Sequence, residues 1–150
     1  MNKLKKILVP IDGSSNSTRS LFDAIFLAKV ADASITGIYV VYSESETDTF
    51  LEILKPLSGL DEKGFVGKQL SEANVMMGEA NEECKKNNVN FEGVVAQGNP
   101  GAKIIQFAED KDFDIIVIGM TGKGHTNEVL FGSVSYYVTH KAKLPVLLVK

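Results

Sequence analysis

Short apolar runs with no polar face recur along this chain, and they restrict its fold more than any other feature. Residues 6–11, 34–42 and 113–118 are of this kind, as is the closing run Val146-Leu147-Leu148-Val149. Such runs suit strands of a parallel sheet covered on both sides. A fifth, weaker run spans 90–97, with Phe91, Val94 and Val95. Between the runs, apolar residues return at helical spacing. Leu21, Ala24, Ile25, Ala28 and Ala31 mark a helix over 17–31, and Leu70, Ala73, Met77, Ala80 and Cys84 mark one over 68–88. Ile104, Ile105 and Ala108 mark a helix from Pro100 to near Lys111, and Val134, Tyr137 and Val138 mark one over 133–142. Regular strand–helix alternation predicts an α/β fold, a five-stranded parallel sheet with helices on both faces. Right-handed crossovers favour the strand order 3-2-1-4-5, and 150 residues suit a single domain, 1–150.

Turn chemistry agrees with these boundaries. Pro10 stops the first run, and Asp12-Gly13-Ser14-Ser15 supplies a turn and helix-start residues. Gly98-Asn99-Pro100 leads into a helix with proline at or near its first position. Lys85 and Lys86 fall in a last helical turn that Asn87-Asn88 ends. The connection over 43–67 opens acidic and then carries Phe50, Leu51, Ile53 and Leu54 before Pro56. Those apolar positions predict one or two helical turns lying over the domain.

Several partners and locations are unfavoured. A net charge of −3 gives no footing for nucleic acid. The basic start, Lys3, Lys5 and Lys6, is followed by an apolar run too short for a secretory signal, and no run reaches membrane length. The single Cys84, set in a helical pattern, reads as a small buried hydrophobe, and a cytoplasmic setting is expected. His125 and His140 are far apart in sequence with only Cys84 for company, so no zinc site is expected.

The chemistry concentrates between the fourth run and the last helix, in GMTGKGHTNEVLFGSVS, residues 119–135. A glycine-rich loop entering a helix N-terminus presents backbone N–H groups without helical partners at the positive end of the helix dipole. That arrangement suits phosphate. The Walker spacing fails, since Gly122-Lys123 is followed by Gly124 and Val117 stands five residues before Gly122. The dinucleotide fingerprint fails at Asn127. The spacing that fits is G-x2-G-x9-G-[ST], filled by Gly119, Gly122, Gly132 and Ser133. In the order 3-2-1-4-5 this loop and Asp12 share the crevice where strand order reverses, the usual ligand position in open α/β sheets.

The loop resembles the nucleotide loop of the universal stress protein family, in its ATP-binding branch. The resemblance extends over nearly the whole chain, through ILVPIDGS, SITGIYVV, Gly98-Asn99-Pro100, DIIVIG and LPVLLVK. It implies that Pro10 and Asp12 line a nucleoside site and that the backbone of Val40 or Val41 contacts adenine. It also implies that Gly119, Gly122, Gly132, Ser133, Val134 and Ser135 hold ribose and phosphates. Met120-Thr121 departs from the family, whose members often carry a small hydroxyl residue followed by Arg or His. Asp12 could accept a ribose or adenine hydrogen bond, hold Mg2+ through water, or cap the first helix. Ser133 could contact phosphate or cap its own helix.

The expectation is an adenine-nucleotide-binding regulatory protein, taking ATP, ADP or AMP with Mg2+, and acting as a nucleotide-dependent dimeric switch in stress response. Family members commonly dimerise through the final strand, which implies a homodimer here; pairing would also remove an apolar sheet edge. A slow ATPase or phosphotransferase is the enzymatic alternative, but no paired base and nucleophile accompany Asp12. A nucleotide-free interaction module is the third reading, and the intact glycine spacing counts against it.

Overall fold

The computed structural model describes residues 3–44, 50–53, 67–121 and 131–150. In chain order the elements are β1 (Lys6–Pro10), α1 (Ser15–Ala31), β2 (Ser34–Tyr42), β3 (Phe50–Ile53) and α2 (Gly67–Lys86). There follow β4 (Phe91–Gly98), α3 (Pro100–Asp110), β5 (Ile115–Gly119), α4 (Ser133–Lys141) and β6 (Val146–Val149). The sheet order is β3-β4-β2-β1-β5-β6. Strands β4, β2, β1, β5 and β6 pair in parallel. Numbered among themselves along the chain, these five run 3-2-1-4-5, as the strand–helix alternation predicts.

The sixth strand corrects one expectation. Phe50, Leu51 and Ile53 do not form helical turns; β3 pairs antiparallel with β4, from Phe50↔Ala96 to Ile53↔Gly93. Leu54 lies outside the described residues. Without β3, the outer edge of β4 would present a row of unpaired backbone groups, and pairing satisfies them. The Phe50 ring also joins an aromatic row, 5.0 Å from Phe107, which is itself 5.5 Å from Phe113.

Element ends follow local chemistry. The Ser14 side chain caps α1 by accepting from the Ser17 amide at 3.2 Å, so the helix begins at Ser15, two residues ahead of the expected start at 17. Asp32 closes it in the left-handed conformation at φ 56°. The Asn99 side chain accepts from the Ala102 amide at 3.1 Å, with Pro100 at the first helical position of α3. Strand β5 starts at Ile115, later than the apolar run. Phe113 is buried in the core, and the Asp114 carboxylate accepts from the amides of Lys5 and Lys6 at 2.8 and 2.9 Å.

Two cores flank the sheet. On one face α1 and α2 bury Leu21, Ala24, Ala28, Met77 and Cys84 against Ile7, Val9, Ile35 and Val117. On the other, α3 and α4 bury Ile104, Phe107 and Val138 against Leu8, Ile38, Val94 and Ile116. Among the described residues no helix is long and apolar enough to cross a membrane.

Candidate functional site

The sheet reverses its winding between β1 and β5, which pair at Ile7↔Ile115 and Leu8↔Ile116. At their carboxyl ends lies a cavity of about 260 Å³. Pro10 and Asp12 line it from the end of β1, and Val40 from β2. Gly119 lines it from β5, and Gly132, Ser133, Val134 and Ser135 line it from the start of α4. Segments far apart in sequence are thus brought to one crevice. Val41 is not part of it. Alternation along β2 turns its side chain to the α1/α2 face, where it is buried in the core. Gly122, Lys123 and His125 lie outside the described residues.

The walls divide by chemistry. Ile38, Val40, Ile104 and Ile118 supply an apolar side, which suits a flat ring, and the hydroxyl residues Ser14, Ser17 and Thr121 also line the space. Among the described residues that line it, none is lysine or arginine. A ligand's negative charge would therefore meet the start of α4. Gly132 is the N-cap of that helix and offers no side-chain cap. Its carbonyl takes the first helical bond, from the Tyr136 amide at 3.0 Å. Among the described residues the amides of Ser133, Val134 and Ser135 find no acceptor. Three orphan donors at the positive end of a helix thus face the crevice.

Ser133 does not cap α4; it stands one residue inside the helix and is exposed. The Ser135 side chain is committed to the protein. It is 3% exposed, and its hydroxyl lies 2.5 Å from the Met120 carbonyl and 3.0 Å from that of Gly132. The Gly132 amide also donates to the Met120 carbonyl, at 2.8 Å. The end of β5 is thereby tied to the start of α4, leaving Ser135 only its amide for a ligand.

Asp12 is not the cap of α1, since Ser14 fills that role. Its Oδ1 accepts from the Ser14 amide at 2.8 Å, an Asx turn that sets the entry to the helix. Tyr39 stands nearby on the cavity wall. Burial pushes its phenol pKa up, and the Glu72 and Asp12 carboxylates push it the same way, so the phenol is neutral at physiological pH. Among the described residues no group of three His, Cys, Asp or Glu side chains forms a metal cluster. His140 is away from the cavity, stacked on Tyr136 at 4.1 Å between centroids.

The sequence pattern did not reveal the support behind Gly119. A Cβ there would fall 2.8 Å from Asn16 Cβ and 2.9 Å from its carbonyl carbon, so glycine admits the first turn of α1. Asn16 is 7% exposed, donates to the Thr121 hydroxyl and accepts from Arg19. A polar residue at the head of a buried helical face was the available signal.

The chain matches the Universal stress protein family over residues 3–150. Universal stress protein MJ0531 of Methanocaldococcus jannaschii is 35% identical over 156 residues, covering 99% of this chain and 84% of that protein. The solved structure of MJ0577, from the same organism, superposes with a TM-score of 0.79 at 26% identity, over 97% of this chain and 95% of the other. A universal stress protein from Archaeoglobus fulgidus in complex with dAMP shares the fold, with a TM-score of 0.69 at 21% identity and full coverage of both chains (100% and 100%). On the family match and the 35% relative together, this chain belongs to the universal stress protein family.

Proposed function

We propose that the crevice binds an adenine nucleotide, ATP among them, and that the chain works as a cytoplasmic stress regulator whose dimer responds to that ligand. The observation that carries this reading is the trio of amides at Ser133, Val134 and Ser135, which find no acceptor among the described residues and open on a cavity whose other wall is apolar. Hydrogen bonds to charged oxygens contribute about 1.5–3 kcal/mol each, and micromolar affinity needs about 8 kcal/mol. Three amides and a buried base reach that range together. The dAMP complex of a relative with this fold supports an adenine ligand.

Adenine would lie against Val40, with the phosphates at the start of α4. Asp12 would hold Mg2+ through water; the ion would neutralise phosphate charge. A single carboxylate acting with ligand phosphates fits the way Mg2+ is usually held. The edge strand β6 would pair with its counterpart in a second copy. Leu147 is 38% exposed there, and an apolar edge is removed from water by such pairing.

Equilibrium dialysis with ATP, AMP and adenosine tests the reading. Affinity should rise with phosphate content, and Gly132→Val should abolish nucleotide binding while the circular dichroism spectrum stays unchanged. Unaltered ATP binding by that variant would remove the phosphates from the start of α4.

A further inference from the structure

Asn16 stands outside the cavity lining, yet both ends of its side chain are engaged beside it. Arg19 Nη2 donates to Asn16 Oδ1, and Asn16 Nδ2 donates to Thr121 Oγ1. A guanidinium carries donors only, so the end of the amide facing Arg19 must be the oxygen. This removes the usual freedom of an asparagine to present either end. The nitrogen end then faces Thr121, and the threonine hydroxyl is forced to accept.

A hydroxyl that accepts from one neighbour keeps its own hydrogen for another. Among the described residues no acceptor takes the Thr121 hydrogen, and Thr121 lines the cavity. We propose that Asn16, oriented by Arg19, is a positioning residue that makes the Thr121 hydroxyl a hydrogen-bond donor to a phosphate oxygen of the ligand. The proposal rests on the nucleotide reading and adds a preference to it. Phosphate oxygens are predominantly acceptors at neutral pH, so a rim hydroxyl held in the donor sense selects phosphate over the donor groups of a base. The positive charge at the far end of the chain polarises each link in that same sense. Gly119 makes the geometry possible, since a Cβ there would displace Asn16.

Asn16→Asp reverses the polarity at nearly constant shape. A carboxylate still accepts from Arg19, but it also accepts from Thr121, which turns the hydroxyl hydrogen away from the cavity. Thr121→Val deletes the donor without adding charge, and Thr121→Ser retains it. Binding of ATP and of adenosine would be measured for each variant by calorimetry. Thr121→Val and Asn16→Asp should each weaken ATP about tenfold or more and leave adenosine within about twofold. Thr121→Ser should keep the wild-type ratio, and in the Thr121→Val background Asn16→Asp should cost ATP affinity clearly less than it does alone. Repeating the Asn16→Asp titration at high salt suppresses its plain Coulomb repulsion; persistence of the loss supports the proposal. An unchanged ATP-to-adenosine ratio in Thr121→Val overturns it and leaves the nucleotide reading standing. Equal losses for both ligands overturn it too, as general damage to the crevice. A wild-type protein that binds neither ligand overturns both. Should Asn16→Asp fail to fold, the Val and Ser variants at Thr121 decide the matter, because that residue is half-buried at the rim.

Discussion

Replacing Gly119 by alanine distinguishes two reasons for a glycine at the end of β5. In the loop pattern it serves the ligand, by letting phosphate approach. In the structure it serves α1, because an added methyl would sit 2.8 Å from Asn16 Cβ, 2.9 Å from its carbonyl carbon and 3.0 Å from its carbonyl oxygen. Ordinary carbon contacts lie near 3.5–4.0 Å, so the start of α1 would have to retreat by about 0.7 Å. Two of the three atoms are backbone, so no rotamer change relieves the clash. Overpacking of this kind costs about 1–3 kcal/mol. For a chain of this size that corresponds to a fall in Tm of about 2–12 °C. The retreat would carry Ser14, Ser17 and Asn16 with it, weakening ATP and adenosine together. Thermal melts with and without each ligand give both quantities. A variant that melts within about 1 °C of wild type but no longer binds ATP would refute the packing argument.

Three further outcomes follow from local geometry. Burial pushes the Cys84 thiol well above the usual thiol range, up to about 11, with Glu83 adding to it, so the folded state holds that proton more tightly than the unfolded chain. Its contribution to stability is complete below about pH 9 and is lost as pH rises toward 11, on the order of 2 kcal/mol. Urea midpoints should fall across that window more steeply in wild type than in Cys84→Ala; equal slopes would contradict this. Ser135→Ala removes a buried hydroxyl from the Met120 carbonyl, which retains the Gly132 amide, so a loss of about 1–2 kcal/mol in urea unfolding is expected. No measurable change would mean that the β5–α4 tie is idle. Leu147→Glu should convert the proposed dimer to monomer in sedimentation equilibrium without lowering the monomer's helix content, and a wild-type monomer at high concentration would dispose of pairing through β6.

Much of this fold was legible because its central strands are buried on both faces and its helices are not. Runs such as Ile115-Ile116-Val117-Ile118 have one physical destination, and the helical stripes that alternate with them cover the sheet on either side. Phe50 to Ile53 had no such signature. Four residues that complete an edge show no period of their own, since what makes them a strand is the open backbone of β4, whose paired residues lie 40 to 46 positions further along the sequence. The same limit applies at the crevice. The glycine spacing and Asp12 could be found because topology brings the ends of β1 and β5 together whatever their side chains. Val40 and Val41 could not be separated until the pleat had a phase, and that phase comes from which face Ile38 and Val41 bury.

The roles of Gly119 and Ser135 were hidden for a different reason. A glycine or serine in a phosphate-loop pattern has the same letter whether it faces ligand or protein, and only the approach of α1 and the Met120 carbonyl decides between them. What the packing adds to the motif is therefore a division of labour. Backbone amides at the start of α4 are left for an anion, while the side chains around them, the Thr121 hydroxyl apart, are spent on holding β5, α1 and α4 in register. A site of that construction depends little on the identity of its exposed side chains and strongly on the positions of its backbone. Substitutions that shift α1 or α4 by a fraction of an ångström should therefore harm binding more than removal of the exposed Ser133 hydroxyl.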